Sequence, residues 1–458
     1  MSWSIGLCTG ESFAEFSAIS DSSVKNPPVH HRWYLPKQNL VEGLKKILSE
    51  NNMAGSTIHL ASGLAQLIMK RRAGASIALL VTSGFENWPK LRQPLRESRL
   101  SLSPRRTTPL LSDDLIFGIN ERVAADGEVL SVTPDEELEF LSQKLELMEI
   151  KNVVIGFLNS QKNSANEKKA ADFFRLKNFE VSCSHELENS NNEVARWWRA
   201  VLTSYVGPAF KELEETLKPL EEQFQVKFKF VSAEGDSFSD EPRKYFTSAL
   251  AQLTCLANAS GKKVLWDGIL HFGLESFQFI EPDRVNKIWN SDFGPVALTT
   301  PEFSKLRIQP TQIVDPQSVA SLFARSQESG FEPGPMLLGR GLRATFLDLV
   351  YLENSLLPIQ GLSEWIHPDS QNKIRQSLST LFKGHFSRDH SPSEILQDNC
   401  VSILAQDISQ KLSTKDKSRI LCLGPLAPTM VPLLQAKTPW LELAIEKISP
   451  FAESTGCK

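Results

Sequence analysis

Ile5-Gly6-Leu7-Cys8-Thr9-Gly10-Glu11-Ser12-Phe13-Ala14-Glu15 reads as an apolar strand, a turn of small residues and a second extended run. Short apolar runs bounded by a glycine-containing turn mark paired, buried strands. Residues 3–8 and 13–19 are therefore predicted to form a hairpin.

Outward from that hairpin, strand and helix signals alternate, which predicts α/β architecture. Leu40, Val41, Leu44, Ile47 and Leu48 form a helical stripe, and residues 77–81 a buried strand. Thr133-Pro134-Asp135-Glu136 has a hydroxyl at the N-cap, Pro at N1 and Glu at N3, a helix start continued by Leu138, Leu141 and Leu145. Residues 153–158 form the next strand. The polar stretch 182–192 marks a boundary, giving domains at 1–185 and 186–458. Beyond it, residues 193–222 read as a long helix with a break or kink at Pro208. Strands are predicted at 226–232, 263–266 and 419–423, and a loop at 326–335. Ser391-Pro392-Ser393-Glu394 starts a helix running to about Leu412.

The 458 residues suggest about two to four domains. Hydrophobic content of 41%, charged content of 23% and a net charge of -4 are ordinary for a soluble protein and give no support for nucleic-acid or membrane binding. The clusters Lys70-Arg71-Arg72 and Arg105-Arg106 are short enough to be solvated surface. Met1-Ser2-Trp3-Ser4 has no basic, apolar leader, and no apolar run is long enough to span a bilayer. The cysteines 8, 183, 255, 400, 422 and 457 are dispersed, which argues against a zinc site or disulfide scaffold and fits a cytoplasmic protein.

The opening stretch resembles the phosphate hairpin of the hydantoinase A/oxoprolinase family, I-G-[IV]-D-x-G-G-T-F-T-D. Further segments are similar to that family in order and spacing. Residues 74–85 resemble G-A-R-x-A-L-[VL]-T-T-x-G-F, and Arg92-Gln93 stands at its R-Q. Residues 117–130 resemble F-x-V-x-E-R-V followed by D-G-x-V-L. Ser160, Asn163 and Glu167 match S-x-x-N-x-x-x-E. Glu193, Arg196, Tyr205, Val206 and Pro208 have the spacing of E-x-x-R with Y-V-x-P. Gly334-Pro335, Gly339-Arg340-Gly341 and Thr345 match G-P-x-x-x-G-x-G-x-x-x-T, and Ser454-Thr455-Gly456 resembles S-A-x-G. The resemblance implies a two-lobed, actin-like/acetate-kinase-like (ribonuclease H-like) ATPase fold. Family members are longer, so the chain looks like the core without a C-terminal extension.

Active relatives use ATP and Mg²⁺ to open cyclic amides such as 5-oxoproline and hydantoins, or to carboxylate ketones. The resemblance places a vestigial nucleotide site at Thr9, Gly10, Ser12, Asp267, Gly268, Thr345, Asp348 and Gly424, with Asp267 a candidate metal ligand or strand-end turn former. The departures fall on that site. Cys8 replaces an Asp, Glu11 a Gly and Ala14 a Thr. Leu60-Ala61-Ser62 with Gln66 replaces G-T-T with N. Residues 267–274 replace D-x-G-G-T-S-T-D, residues 345–348 replace T-D-A-N, and residues 423–428 replace G-G-A-G-P. A phosphate cradle needs glycine, and Mg²⁺ needs oxygen ligands. Cys8 is a poor Mg²⁺ ligand, and Ile269, Leu270 and Phe346 would crowd the cleft. The expected protein is a family member with weak or lost ATPase activity, or a non-catalytic scaffold or regulatory subunit. Its expected partners are further copies of itself or a hydantoinase A/B-like subunit, and its cofactors ATP and Mg²⁺ or none.

Other constellations are weaker. His385, Asp389 and His390 are close in sequence but fit no ligand signature and read as a polar loop. Cys8 is either a nucleophile near turn N–H groups or a small buried hydrophobe. His30-His31 read as surface. No G-x-S-x-G, P-loop or H-E-x-x-H pattern occurs.

Overall fold

The computed structural model describes residues 3–20, 27–90, 109–187, 190–259, 266–313, 335–353, 363–381, 391–412, 418–445, 454, 456 and 457. Arg92, Gln93, Arg105, Arg106, Thr455, His385, Asp389 and His390 lie outside them, as does most of the loop expected at 326–335.

β1 (Trp3–Thr9) and β2 (Phe13–Ser20) form the expected hairpin, with Thr9 opposite Ala14. β3 (Val29–Tyr34) pairs with β2. Then α1 (Leu40–Glu50) starts at Asn39, whose side chain accepts the Glu42 N–H, and buries Leu44, Ile47 and Leu48. β4 (Thr57–Ser62) lies parallel to β1 on its free side.

From α2 (Leu64–Arg71) the chain leaves this sheet and builds another. β5 (Ile77–Thr82), β6 (Ile116–Ile119), a small hairpin of β7 (Arg122–Val123) and β8 (Val129–Ser131), α3 (Asp135–Leu147), β9 (Asn152–Gly156), α4 (Ala165–Leu176) and β10 (Glu180–Cys183) follow. The four-stranded parallel sheet has the order β10-β9-β5-β6. α3 begins later than its sequence suggests, with Pro134 at the N-cap. The Thr133 hydroxyl instead donates to the Asn166 carbonyl.

After the short α5 (Ser184–Leu187), α6 (Glu193–Phe224) runs for 32 residues and contains both Pro208 and Pro219. Of the break or kink expected at Pro208, the break is not there. Residues 195–207 are buried without interruption, and that packing outweighs the hydrogen bond proline removes. α6 returns the chain to the first sheet. There β11 (Lys227–Val231) lies parallel to β4, and β12 (Ser237–Phe238) completes the order β12-β11-β4-β1-β2-β3. The first sheet thus draws strands from both sides of residue 185, so the division expected there does not coincide with a sheet boundary.

α7 (Ala251–Ala259) leads to a third sheet. β13 (Gly268–Phe272), β14 (Phe277–Ser291) and β15 (Gly294–Lys305) form an antiparallel meander. Residues 260–265, where part of a strand was expected, lie outside the described residues. Next come α8 (Phe346–Glu353), α9 (Ser370–Leu381), α10 (Pro392–Lys411), β16 (Arg419–Leu423), α11 (Ala427–Lys437) and β17 (Glu442–Ile445). The order is β15-β14-β13-β16-β17, with β13, β16 and β17 parallel. The first sheet repeats this plan: β3-β2-β1 are an antiparallel meander, and β1, β4 and β11 are parallel. The hairpins β1–β2 and β13–β14 are therefore topological equivalents.

One core runs from Ile5, Leu7 and Phe16 through Trp197 and Trp198 of α6 to Ile269 and Val296 of the third sheet. A second joins Leu270 and Phe272 to Phe346, Leu349 and Leu404 on the helices. No described helix is long and apolar enough to cross a membrane. α10 has the expected capping box: the Ser391 hydroxyl accepts the Glu394 N–H, and the Glu394 carboxylate accepts the Ser391 N–H. Ser391→Ala is expected to cost about 1 kcal/mol, read as a lower urea midpoint with an unchanged slope.

Candidate functional site

The two equivalent hairpins point their turns at one another. In the first turn the Gly10 N–H donates to the Phe13 carbonyl at 2.9 Å, and in the second the Gly273 N–H donates to Ser276 at 3.1 Å. Between them lies a cleft of about 210 Å³. Thr9, Gly10 and Glu11 line one side and His271, Leu274 and Glu275 the other, with Gly63, Gln66 and Lys70 of the α2 region and Ser248, Ala249 and Gln252 closing it.

The contact between the turns is made by Glu275. Its carboxylate accepts the N–H groups of Glu11 at 2.8 Å, Phe13 at 3.1 Å and Ser12 between them. Successive backbone N–H groups in a turn form an anion-binding concavity, and here an internal carboxylate fills it. A Cβ on Gly10 would lie 2.3 Å from Glu275 Oε2, so any other residue there would push the carboxylate from this seat. Arg340 Nη1 donates to Ser12 Oγ at 2.9 Å and also hydrogen-bonds Tyr34. Burial raises the Tyr34 pKa, outweighing the arginine. The Glu11 carboxylate turns to Lys70 at 2.9 Å.

Below the turn, Glu15 accepts from Arg32 Nη2 at 2.7 Å and from the N–H and hydroxyl of Ser454 at 3.0 and 2.9 Å. All three residues are buried. Cys8 is 2% exposed and packs with Ala61, Val231, Ala251, Cys255 and Cys457, the small-hydrophobe environment. His271 is buried between Gly273 and Gly424, whose glycines leave room for its ring.

The residues expected at the nucleotide site separate into three groups. Thr9 and Gly10 line the cleft, and Ser12 binds Glu275 and Arg340 beside it. Gly424, at φ +96°, packs against the Phe272 carbonyl next to the cleft-lining Pro425. The others lie away from the cleft. Asp267 is exposed at the far end of β13 from the turn, where it accepts the Arg419 N–H at 2.9 Å, and Gly268 sits under the Phe279 ring. Thr345 and Asp348 cap the start of α8: the Asp348 carboxylate accepts from the N–H and hydroxyl of Thr345 and from the N–H groups of Met336 and Leu337. Burial pushes the Asp348 pKa up against these bonds. Ile269, Leu270 and Phe346 are core residues; bulk in the cleft comes from Leu274 and Glu275 instead. Sequence reading missed Glu275, His271 and Arg340. Its signal was Gly273, two residues after His271 as Gly10 is two after Cys8; registering the hairpins on Asp267 hid it.

Among the described residues one group has metal-ligand composition, Glu167, Cys183 and His185. The Glu167 oxygens already accept from the Phe157 N–H, the Ser184 hydroxyl, and the His185 N–H and Nδ1. Burial drives the Cys183 thiol pKa far above its usual value. This is a hydrogen-bonded network tying β9 to α4, away from the cleft.

Arg32→Ala would leave Glu15 charged and buried, and is expected to cost about 3–5 kcal/mol in urea unfolding. Arg32→Met combined with Glu15→Gln is expected to recover much of the loss, because removing both charges removes the uncompensated one.

Residues 24–177 match the hydantoinase/oxoprolinase N-terminal region. The chain is 28% identical over 134 residues to an uncharacterized protein of Methanocaldococcus jannaschii, a match covering 29% of this chain and 20% of that protein. It is 26% identical over 226 residues to the acetophenone carboxylase gamma subunit of Aromatoleum aromaticum, covering 44% and 31%. The matches thus span less than a third of these curated relatives. Among solved structures, nucleotide-free acetone carboxylase superposes with a TM-score of 0.75 at 14% identity, over 99% of this chain and 69% of that one. The ATP-dependent caprolactamase from Pseudomonas jessenii gives 0.71 at 17% identity, over 100% and 70%. At such identities the structural likeness is one of fold. Residues 24–177 thus carry the likeness to the hydantoinase/oxoprolinase N-terminal region, and the chain as a whole shares the fold of these two enzymes.

Proposed function

We propose that this chain is a hydantoinase A/oxoprolinase-type subunit with a two-lobed, actin-like ATPase fold, in which ATP hydrolysis is weak or lost. The observation that carries this reading is the Glu275 carboxylate in the amide concavity of the first hairpin. A phosphate group entering there must displace a carboxylate that already accepts all three N–H groups, or face its charge at close range.

The residues present do not fit Mg-ATP. Registered on their turns, the two hairpins place Cys8 and His271 where the family pattern has Asp. A thiol and an imidazole are poor ligands for Mg²⁺, which takes hard oxygen donors. Leu274 stands where the pattern has its second glycine. A cleft of about 210 Å³ is also smaller than the ~300–1,000 Å³ of pockets that enclose drug-sized ligands. The buried scaffold supports a role as a non-catalytic or regulatory subunit, assembled with its own copies or with a hydantoinase A/B-like partner. The acetophenone carboxylase relative, itself a gamma subunit by name, supports an assembly.

Equilibrium titration of the purified chain with Mg-ATP is expected to show no saturable binding below about 1 mM, a free energy near −4 kcal/mol. Micromolar binding with hydrolysis stimulated by 5-oxoproline or a hydantoin would reject the reading. Glu275→Ala keeps the three N–H donors and removes the carboxylate. It is expected to bind inorganic phosphate at least about tenfold more tightly than the parent chain, seen as phosphate-dependent thermal stabilisation.

A further inference from the structure

Three of the six cysteines come together in a buried cluster that the cleft chemistry does not use: Cys8 at the end of β1, Cys255 in α7 and Cys457. Within it, Cys255 Sγ and Cys457 Sγ lie 2.8 Å apart, across 202 residues of sequence. A disulfide bond is about 2.05 Å long, so closing the pair needs a sulfur movement of under about 1 Å. We propose that Cys255 and Cys457 are a modification site, a dithiol that oxidises to an intrachain disulfide.

The backbone enforces this approach. The Ser454 carbonyl lies against β1 at Gly6, where a Cβ would come within 1.8 Å of it. Gly456 lies against the Cys255 carbonyl, where its own Cβ would come within 1.7 Å. Only glycine permits two such contacts, and together they seat Cys457 on α7. Ser454, in the same segment, holds the buried Glu15 carboxylate with its N–H and hydroxyl. A disulfide at Cys457 would fasten the segment that supports the floor of the cleft. The inference does not depend on the proposed function.

The oxidant is a small disulfide of the glutathione class. One cysteine thiolate attacks its S–S bond, giving a mixed disulfide and releasing one thiol. The second cysteine thiolate displaces the remaining thiol. Two S–H bonds and the oxidant's S–S bond break, one protein S–S bond and two small-molecule thiols form, and two electrons pass from protein to oxidant.

The test uses the full chain, incubated folded with oxidised glutathione and, in parallel, refolded from denaturant in the same reagent so that burial cannot block access. Remaining thiols are alkylated in denaturant and the protein is mapped without reduction. The expected result is one cross-linked peptide pair containing Cys255 and Cys457, lighter than the dithiol by two hydrogen atoms, with Cys8 alkylated. Oxidation should raise the melting temperature of the parent chain by about 4 °C, as loop closure over so many residues implies, and leave that of Cys457→Ser unchanged. Recovery of Cys255 and Cys457 as alkylated thiols from both incubations would overturn the proposal, as would a disulfide joining either of them to Cys8.

Discussion

Everything around the cleft depends on one carboxylate seated in one turn. Glu275 reaches from the tip of the second hairpin to three N–H groups of the first, and so ties the two sheets together beside the cleft. Charge-assisted bonds to backbone amides are roughly twice as strong as neutral ones. Gly10 leaves the oxygens room to approach in this position. A glycine that the family resemblance assigns to phosphate binding here accommodates a protein ligand.

That contact joins two copies of one topology. Each sheet sets a hairpin and a third antiparallel strand beside two parallel strands, and each hairpin presents its turn to the other. α6 fixes their relation to the inserted sheet. Trp197 fills the space left by Gly156, Trp198 donates to the Pro89 carbonyl and stacks near Phe293, and Arg199 donates to the Ala297 carbonyl and pairs with Glu234. The N-terminal half of the helix, buried from Ala195 to Gly207, makes these contacts, while Pro208 and Pro219 stand on its exposed side.

Much of the fold was legible because it rests on local signals. The hairpin at Gly10, the stripe of α1, the capping box at Ser391 and the strand at Arg419–Leu423 are each written in a handful of neighbouring residues. What was not legible depends on partners far along the chain. Nothing local to Glu275 says that its acceptor atoms will meet residues 11–13. Nothing local to Asp348 says that it will cap α8 and the turn at Met336 instead of facing the cleft. Asp267 stays open in the sequence between a metal ligand and a strand-end turn former, because a lone acid beside a glycine fits both, and it stands at the strand end. Composition marks the chain as polar near residue 185, while the first sheet takes strands from both sides of that stretch, a pairing no local signal carries.

The pairing of β4 with β11 joins Thr57 to Lys227. The first sheet therefore cannot gain its β11 edge until the whole inserted sheet has emerged during synthesis. Until then β4 exposes an open edge, the kind of surface that recruits stray strands. The inserted sheet, whose pairings are closer in sequence, can form first and bring the ends of that long excursion together, lowering the entropy of the closure. The order of assembly is thereby built into the connectivity: insert before parent sheet, and α6 as the element that carries the chain back.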